Sequence, residues 1–302
     1  MCPVGGVTEP ATANGLLDSR KGGRLETPSG KDAAYENFPV GSWLLPAALR
    51  PHVATFYAFA RAIDDIADNA DLSPDDKIAR LEAFGRGVLG EAGAGPVVAK
   101  AEAMRASLAA TGVPVRHCTD LIAAFKQDAV KSRYADWDTL MGYCFKSAAP
   151  VGRYLLNLHG GSRHGYGPSD ALCNALQVIN HLQDCGDDYR TLDRVYLPED
   201  WLRAEGVGVE DLARASLTPG LRRALDRCLD GVDALLGEGR RLPAGLSSRR
   251  LALESAVILD IAVTLSAKLR REDPLAGRVA LGKPAFAWCG VRGVIRLLTR
   301  RE

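Results

Sequence analysis

The chain has 302 residues, 47% hydrophobic and 25% charged, a make-up that suits one large globular domain with a sizeable core. Thirty-eight basic side chains against thirty-seven acidic ones leave a net charge of +1, without the basic excess expected of a nucleic-acid binder. No run of about 18 uncharged apolar residues occurs, so a membrane-spanning helix is excluded and only peripheral membrane contact stays open.

Residues 1–30 are rich in Gly, Pro, Thr and Ser and lack an apolar period. They read as a disordered leader ahead of one domain over 31–302, with neither the basic start nor the apolar run of a signal peptide. Apolar residues then recur at helical spacing in nine segments, 49–67, 77–89, 97–110, 116–132, 137–159, 169–189, 221–236, 249–269 and 286–298. The Gly- and Pro-rich stretches 90–96, 160–168 and 237–247 separate them as loops. Alternating strand patterns are absent. The pattern predicts an all-α domain of nine or ten helices, with 251–269, apolar nearly all round, as a central helix.

Seven cysteines (Cys2, Cys118, Cys144, Cys173, Cys185, Cys228, Cys289) form no CxxC pair and read as buried thiols of a reducing cytoplasm. The histidines (His52, His117, His159, His164, His181) share no ligand spacing and read as structural or surface residues.

Two segments depart from ordinary apolar helices. In YAFARAIDDIAD (57–68), Asp64, Asp65 and Asp68 crowd carboxylates onto one helical face, an arrangement that disfavours an isolated helix. In QVINHLQDCGDD (177–188), Gln177, Asn180, Asp184 and Asp188 place oxygen donors along a stripe, beside an apolar companion of Leu172, Leu176, Ile179 and Leu182. A solvated helix face explains either segment alone. Two such clusters on apolar helices over a hundred residues apart suggest two acid walls holding Mg²⁺, a hard cation that takes a few carboxylates plus substrate phosphates. Asp128 is a further ligand candidate or an exposed helix acid.

Four stretches, YAFARAIDDIAD (57–68), YCFKSAAPVGRYLL (143–156), QVINHLQDCGDD (177–188) and RVYLPEDWL (194–202), occur in the order and spacing of a known family. From about residue 33 to its end the chain resembles the squalene/phytoene synthase family of trans-isoprenyl diphosphate synthases. The resemblance implies a single-domain all-α bundle around a central cavity, where two Asp-rich helices bind Mg²⁺ and a prenyl diphosphate. It implies metal ligands at Asp64, Asp65, Asp68, Asn180, Asp184 and Asp188, with Asp128 kept from the residue pattern as a candidate further ligand. It also implies diphosphate contacts at Arg61 and Arg194, substrate contacts at Gln177 and Asn180, and cavity aromatics at Tyr57, Tyr143 and Tyr196, which with Arg61 make up the catalytic set.

Within the family, ENFPVGSWLLP (36–46) and SAAPVGRYLL (147–156) are most similar to the hydroxysqualene-forming branch. That implies ionisation of presqualene diphosphate and capture of the rearranged cation by water, without nicotinamide. An upstream presqualene diphosphate synthase would supply the substrate, in the cytoplasm or peripheral to the inner membrane. Residues 35–38 (YENF) lack the Lys of enzymes that condense two prenyl diphosphates, and the connection 190–194 is slightly long for the family. The alternatives are a synthase condensing two prenyl diphosphates, and a silent helical scaffold. The scaffold predicts decayed acidic motifs, whereas all five Asp of the two motifs are intact. Tyr57, Phe59 and Phe145 offer ring faces to a cation or simply fill the core. The group that directs water capture is sought among Tyr143, Tyr196 and Asn180.

Overall fold

Helix starts fall where the sequence supplies a cap. Ser73 Oγ accepts the Asp76 N–H, and Pro74 opens a helix that closes on Gly90 in the left-handed region, φ 72°. Asp136 and Thr139 form a reciprocal capping box, while Thr218 and Ser248 cap the two longest helices. The computed structural model describes residues 45–91 and 98–299. It contains α1 (Arg50–Asp68), α2 (Pro74–Leu89), α3 (Ala99–Thr111), α4 (Arg116–Asp128), α5 (Trp137–Ser147), α6 (Ala149–Leu158), α7 (Tyr166–Gln183), α8 (Cys185–Leu192), α9 (Glu199–Ala204), α10 (Pro219–Gly239), α11 (Leu242–Gly245), α12 (Arg249–Leu269) and α13 (Lys283–Thr299). The described residues contain no strand, and none of their helices is long and apolar enough to cross a membrane. The leader 1–30, the 35–38 stretch, Cys2 and most of the loop 90–96 lie outside the described residues.

Each of the nine predicted segments holds a helix, the 116–132 one ending at Asp128, and two are divided. The 137–159 segment breaks at Ala148, because Pro150 has no N–H with which to continue the ladder. The 169–189 segment bends at Asp184 (φ −104°, ψ 7°), yet Asp184 N–H donates to the Asn180 carbonyl and Asp188 N–H to that of Asp184. The bend therefore preserves the i, i+4 register of the acidic stripe. Gly186 is needed just beyond it, since a Cβ there would lie 2.8 Å from Leu275 Cδ2.

α7 is the hub, packed against α5, α6, α10 and α12. α12, apolar nearly all round, is covered by α7, α10, α11 and α13. α1 lies across α2, α3 and α4, with Phe59 edge-on to Phe84 and Phe56 stacked 3.9 Å from Tyr154. Beyond α4 the chain turns into the segment 132–135, whose carbonyls of Ser132, Tyr134 and Ala135 accept the N–H groups of Val195, Glu199 and Asp200. That pairing fixes Tyr134 beside Tyr196.

α6 and α7 approach closely only because residue 152 is glycine. A Cβ there would lie 2.3 Å from Ser169 Oγ and 2.7 Å from Cys173 Sγ. Gly152→Ala is expected to destabilise the protein by about 1–3 kcal/mol, the usual cost of overpacking, despite the better helix propensity of Ala. A thermal melt checks this, and an unchanged midpoint would show that the α6–α7 contact yields freely.

Candidate active site

The last three turns of α1 have two faces. Phe59, Ile63 and Ile66 point into the core, whereas Phe56, Tyr57, Ala60, Arg61 and Asp64 line a cavity of about 330 Å³. The cavity continues between Leu121 and Phe125 of α4, Val151 and Leu155 of α6, Leu172 and Leu176 of α7, and Leu251 and Ile258 of α12. Its wall is overwhelmingly apolar, and Arg61 and Asp64 stand at its charged part.

The first acidic cluster is tied to two arginines. Arg61 Nη1 lies 3.1 Å from Asp64 Oδ2 and its Nε 3.1 Å from Asp65 Oδ1. Arg194, itself buried, donates from Nη1 to Asp68 Oδ1 at 2.5 Å and from Nη2 to the Ala67 carbonyl at 2.7 Å. Its backbone N–H donates to the Asp188 carbonyl at 3.2 Å. Arg194 thus joins the end of α1 to α8. The long connection before it is absorbed by Asp193, which takes the left-handed conformation (φ 50°) and accepts Arg133 Nη2 at 2.5 Å. Burial and then the neighbouring Asp68 raise the Asp64 carboxyl well above the usual carboxylate range.

Asp128 is not an exposed helix acid. It is buried at the end of α4, accepting Tyr143 OH at 2.5 Å and Tyr196 OH at 3.3 Å. Burial pushes its carboxyl up to about 7, against the opposing pull of Arg194. Tyr134, Tyr143 and Tyr196 form a ring cluster at centroid distances of 5.4–5.7 Å, and His181 stacks on Tyr196 at 3.6 Å. Gln177 Nε2 is 3.1 Å from His181 Nε2. Burial, then Arg194, depresses this imidazole to about 3, so it is neutral at physiological pH. Lys77 of α2 is held below the usual amine range by burial and by Arg194, and it feels Asp68 and Asp128. On the second wall, Asp184 Oδ1 is 3.8 Å from Arg278 Nε.

Of the residues predicted from sequence, Tyr57, Arg61 and Asp64 line the cavity. Tyr143 and Tyr196 instead pack together on Asp128, and Arg194 links the two acidic stretches. Phe59 is core, and Phe145 is half exposed beneath the Arg153 guanidinium, so neither ring faces the cavity; Phe56 and Phe125 do. His52, His117 and His159 make hydrogen bonds away from the acids. Cys118, Cys144, Cys185, Cys228 and Cys289 are buried thiols, while Cys173 reaches the cavity wall. Sequence reasoning missed Tyr134, Lys77 and Glu254, a buried carboxyl on the cavity wall.

Among the described residues no three His, Cys, Asp or Glu side chains converge to hold an ion unaided. The donors are nevertheless all hard oxygens, and Asp64 sits among like charges that disfavour its ionisation. That fits Mg²⁺ arriving with a diphosphate and sharing one or two carboxylates per wall.

A sequence model of the squalene/phytoene synthase family matches residues 32–284. The chain is 45% identical to the hydroxysqualene synthase of Rhodopseudomonas palustris over 92% of its length and 94% of that protein. It is 40% identical to that of Sinorhizobium fredii, covering 88% and 90%. The crystal structure of a squalene synthase, HpnC, from Alicyclobacillus acidocaldarius superposes with a TM-score of 0.68 at 34% identity, over 78% of this chain and 89% of that one.

Proposed function

The chain belongs to the squalene/phytoene synthase family, and we propose that it ionises presqualene diphosphate and lets water capture the rearranged cation, forming hydroxysqualene and diphosphate. One observation carries this reading: Arg61 and Asp64 belong at once to the acid–arginine cluster and to the wall of the apolar cavity. A diphosphate held at that junction would leave its hydrocarbon among Leu121, Leu155, Leu172 and Ile258.

Asp64, Asp65 and Asp68 on one wall and Asn180, Asp184 and Asp188 on the other would hold Mg²⁺. Once bound, the ion supplies the charge neutralisation that makes diphosphate a leaving group. Arg61 and Arg194 add fixed positive charge at the same end, already oriented by their carboxylate partners. Gln177, beside His181, would contact the substrate from α7. The apolar helices exclude bulk water, so the cation survives long enough to rearrange. Tyr57 presents its ring to the cavity, where a desolvated cation gains up to about 2 kcal/mol from an aromatic face. Tyr143 and Tyr196 act through Asp128, holding a buried carboxyl behind the first wall.

Mass spectrometry of products from presqualene diphosphate and Mg²⁺ tests this. Hydroxysqualene is expected without any nicotinamide, and chelation by EDTA is expected to abolish it. Full activity in EDTA removes the mechanism. Squalene formed only with NADPH, or product from farnesyl diphosphate alone, moves the chain to the condensing enzymes.

A further inference from the structure

We propose that Glu254 is the catalytic residue that holds the capturing water in the cavity and takes its proton, an inference that rests on the ionisation-and-capture reading above. Glu254 is 4% exposed on α12, flanked on the cavity wall by Leu251, Ser255 and Ile258. Among the described residues its Oε2 has no hydrogen-bond partner. Ser147 Oγ, at the α5–α6 break, is a second buried polar atom on the wall of the same cavity without a partner among the described residues. A buried polar atom of this kind is normally satisfied by protein or by ordered water, and the space that Glu254 lines is this cavity.

The other candidates are committed elsewhere. Tyr143 OH and Tyr196 OH both donate to Asp128, and neither they nor Asn180 line the cavity. Glu254 is far better placed, because the hydrocarbon must lie along its wall. Burial pushes its carboxyl up to about 7, so near neutral pH a substantial fraction is ionised and able to accept a proton.

The C–O bond to diphosphate breaks with its electron pair leaving on oxygen. After rearrangement, a lone pair of the held water forms the new C–O bond to the cationic carbon. One O–H bond of the resulting oxonium then breaks, its electrons stay on oxygen, and the proton passes to the Glu254 carboxylate, which returns it to solvent when product leaves. Without the held water, the cation loses a proton from an adjacent carbon to the released diphosphate instead, and that C–H pair becomes a C=C bond in a hydrocarbon product.

Glu254→Leu and Glu254→Gln, incubated with presqualene diphosphate and Mg²⁺, separate ionisation from capture when released diphosphate and both product classes are measured. For Glu254→Leu, diphosphate release is expected within about threefold of the unsubstituted protein, while alcohol per diphosphate falls about tenfold or more and hydrocarbon rises. Glu254→Gln keeps size and polarity but cannot accept the proton, so its alcohol fraction should fall too, and it decides the matter if the Leu variant does not fold. An alcohol fraction within about twofold of the parent, or alcohol and diphosphate falling in parallel in both variants, overturns the assignment. The unsubstituted protein separates the two claims. No alcohol from it overturns the functional reading, whereas unchanged alcohol from all three proteins overturns only the role of Glu254.

Discussion

Asp64→Asn is expected to cut turnover of presqualene diphosphate by about a hundred- to a thousandfold while leaving the protein as stable as before or slightly more so. The carboxyl sits at the junction of charge and cavity; if it holds Mg²⁺ there as proposed, loss of one negative charge weakens the grip on the metal. Its effect on stability has the opposite sign. Burial and Asp68 raise the folded-state pKa above the unfolded value, so the folded protein favours the protonated form. The stability that this group contributes is present below its unfolded pKa and is lost as pH rises through the folded one. In metal-free buffer the melting temperature of Asp64→Asn should therefore gain on the parent as pH rises, with the Arg61 ion pair limiting the gain. Asp184→Asn removes the corresponding charge from the second wall. If both walls serve one metal cluster, the double variant should cost much less than the product of the single losses. Multiplicative losses with lowered melting temperatures would mark these as structural acids on separate helices.

The helices and the acids were legible for different reasons. A 3.6-residue apolar period is local, so nine segments could be read along the chain. The breaks within two of them were less accessible. Pro150 was a visible signal, whereas Asp184 lies in a stretch whose spacing is unaltered by the bend, because the i, i+4 hydrogen bonds pass through it. The acidic motifs stood out because carboxylates on apolar helices conflict with their surroundings. Which phenylalanine of α1 faces the cavity was not legible. Phe56 and Phe59 differ by three positions on one apolar helix, and only the neighbours packed against α1 decide between cavity and core. Tyr134 was hidden for a topological reason, since it joins Tyr196 only through backbone pairing of two segments some sixty residues apart. Glu254 had a signal that went unread. It is the sole charged residue between Arg250 and Asp260, on a helix expected to be central.

Arg194→Met should lower both stability and activity, because one guanidinium carries three connections. It neutralises Asp68, satisfies the Ala67 carbonyl where α1 ends, and moderates the buried Asp128 carboxyl. Removing one partner of a buried pair costs ~3–5 kcal/mol. The lower figure applies here, since Asp68 is a third exposed and water can partly replace the lost donor. At two to four degrees per kcal/mol, the melting temperature should fall by roughly 6–12 °C. Arg194→Lys keeps the charge but not the planar fork that reaches Asp68 and Ala67 together, so it should recover only part of that loss. Turnover should fall by about a hundredfold or more in the Met variant, since the positive charge proposed to meet the diphosphate and the link from α1 to α8 go together. Thermal melts and steady-state kinetics on the two variants decide the point. A raised KM with an unmoved melting temperature would show that Asp68 and the end of α1 are satisfied by water, and that Arg194 serves the substrate alone.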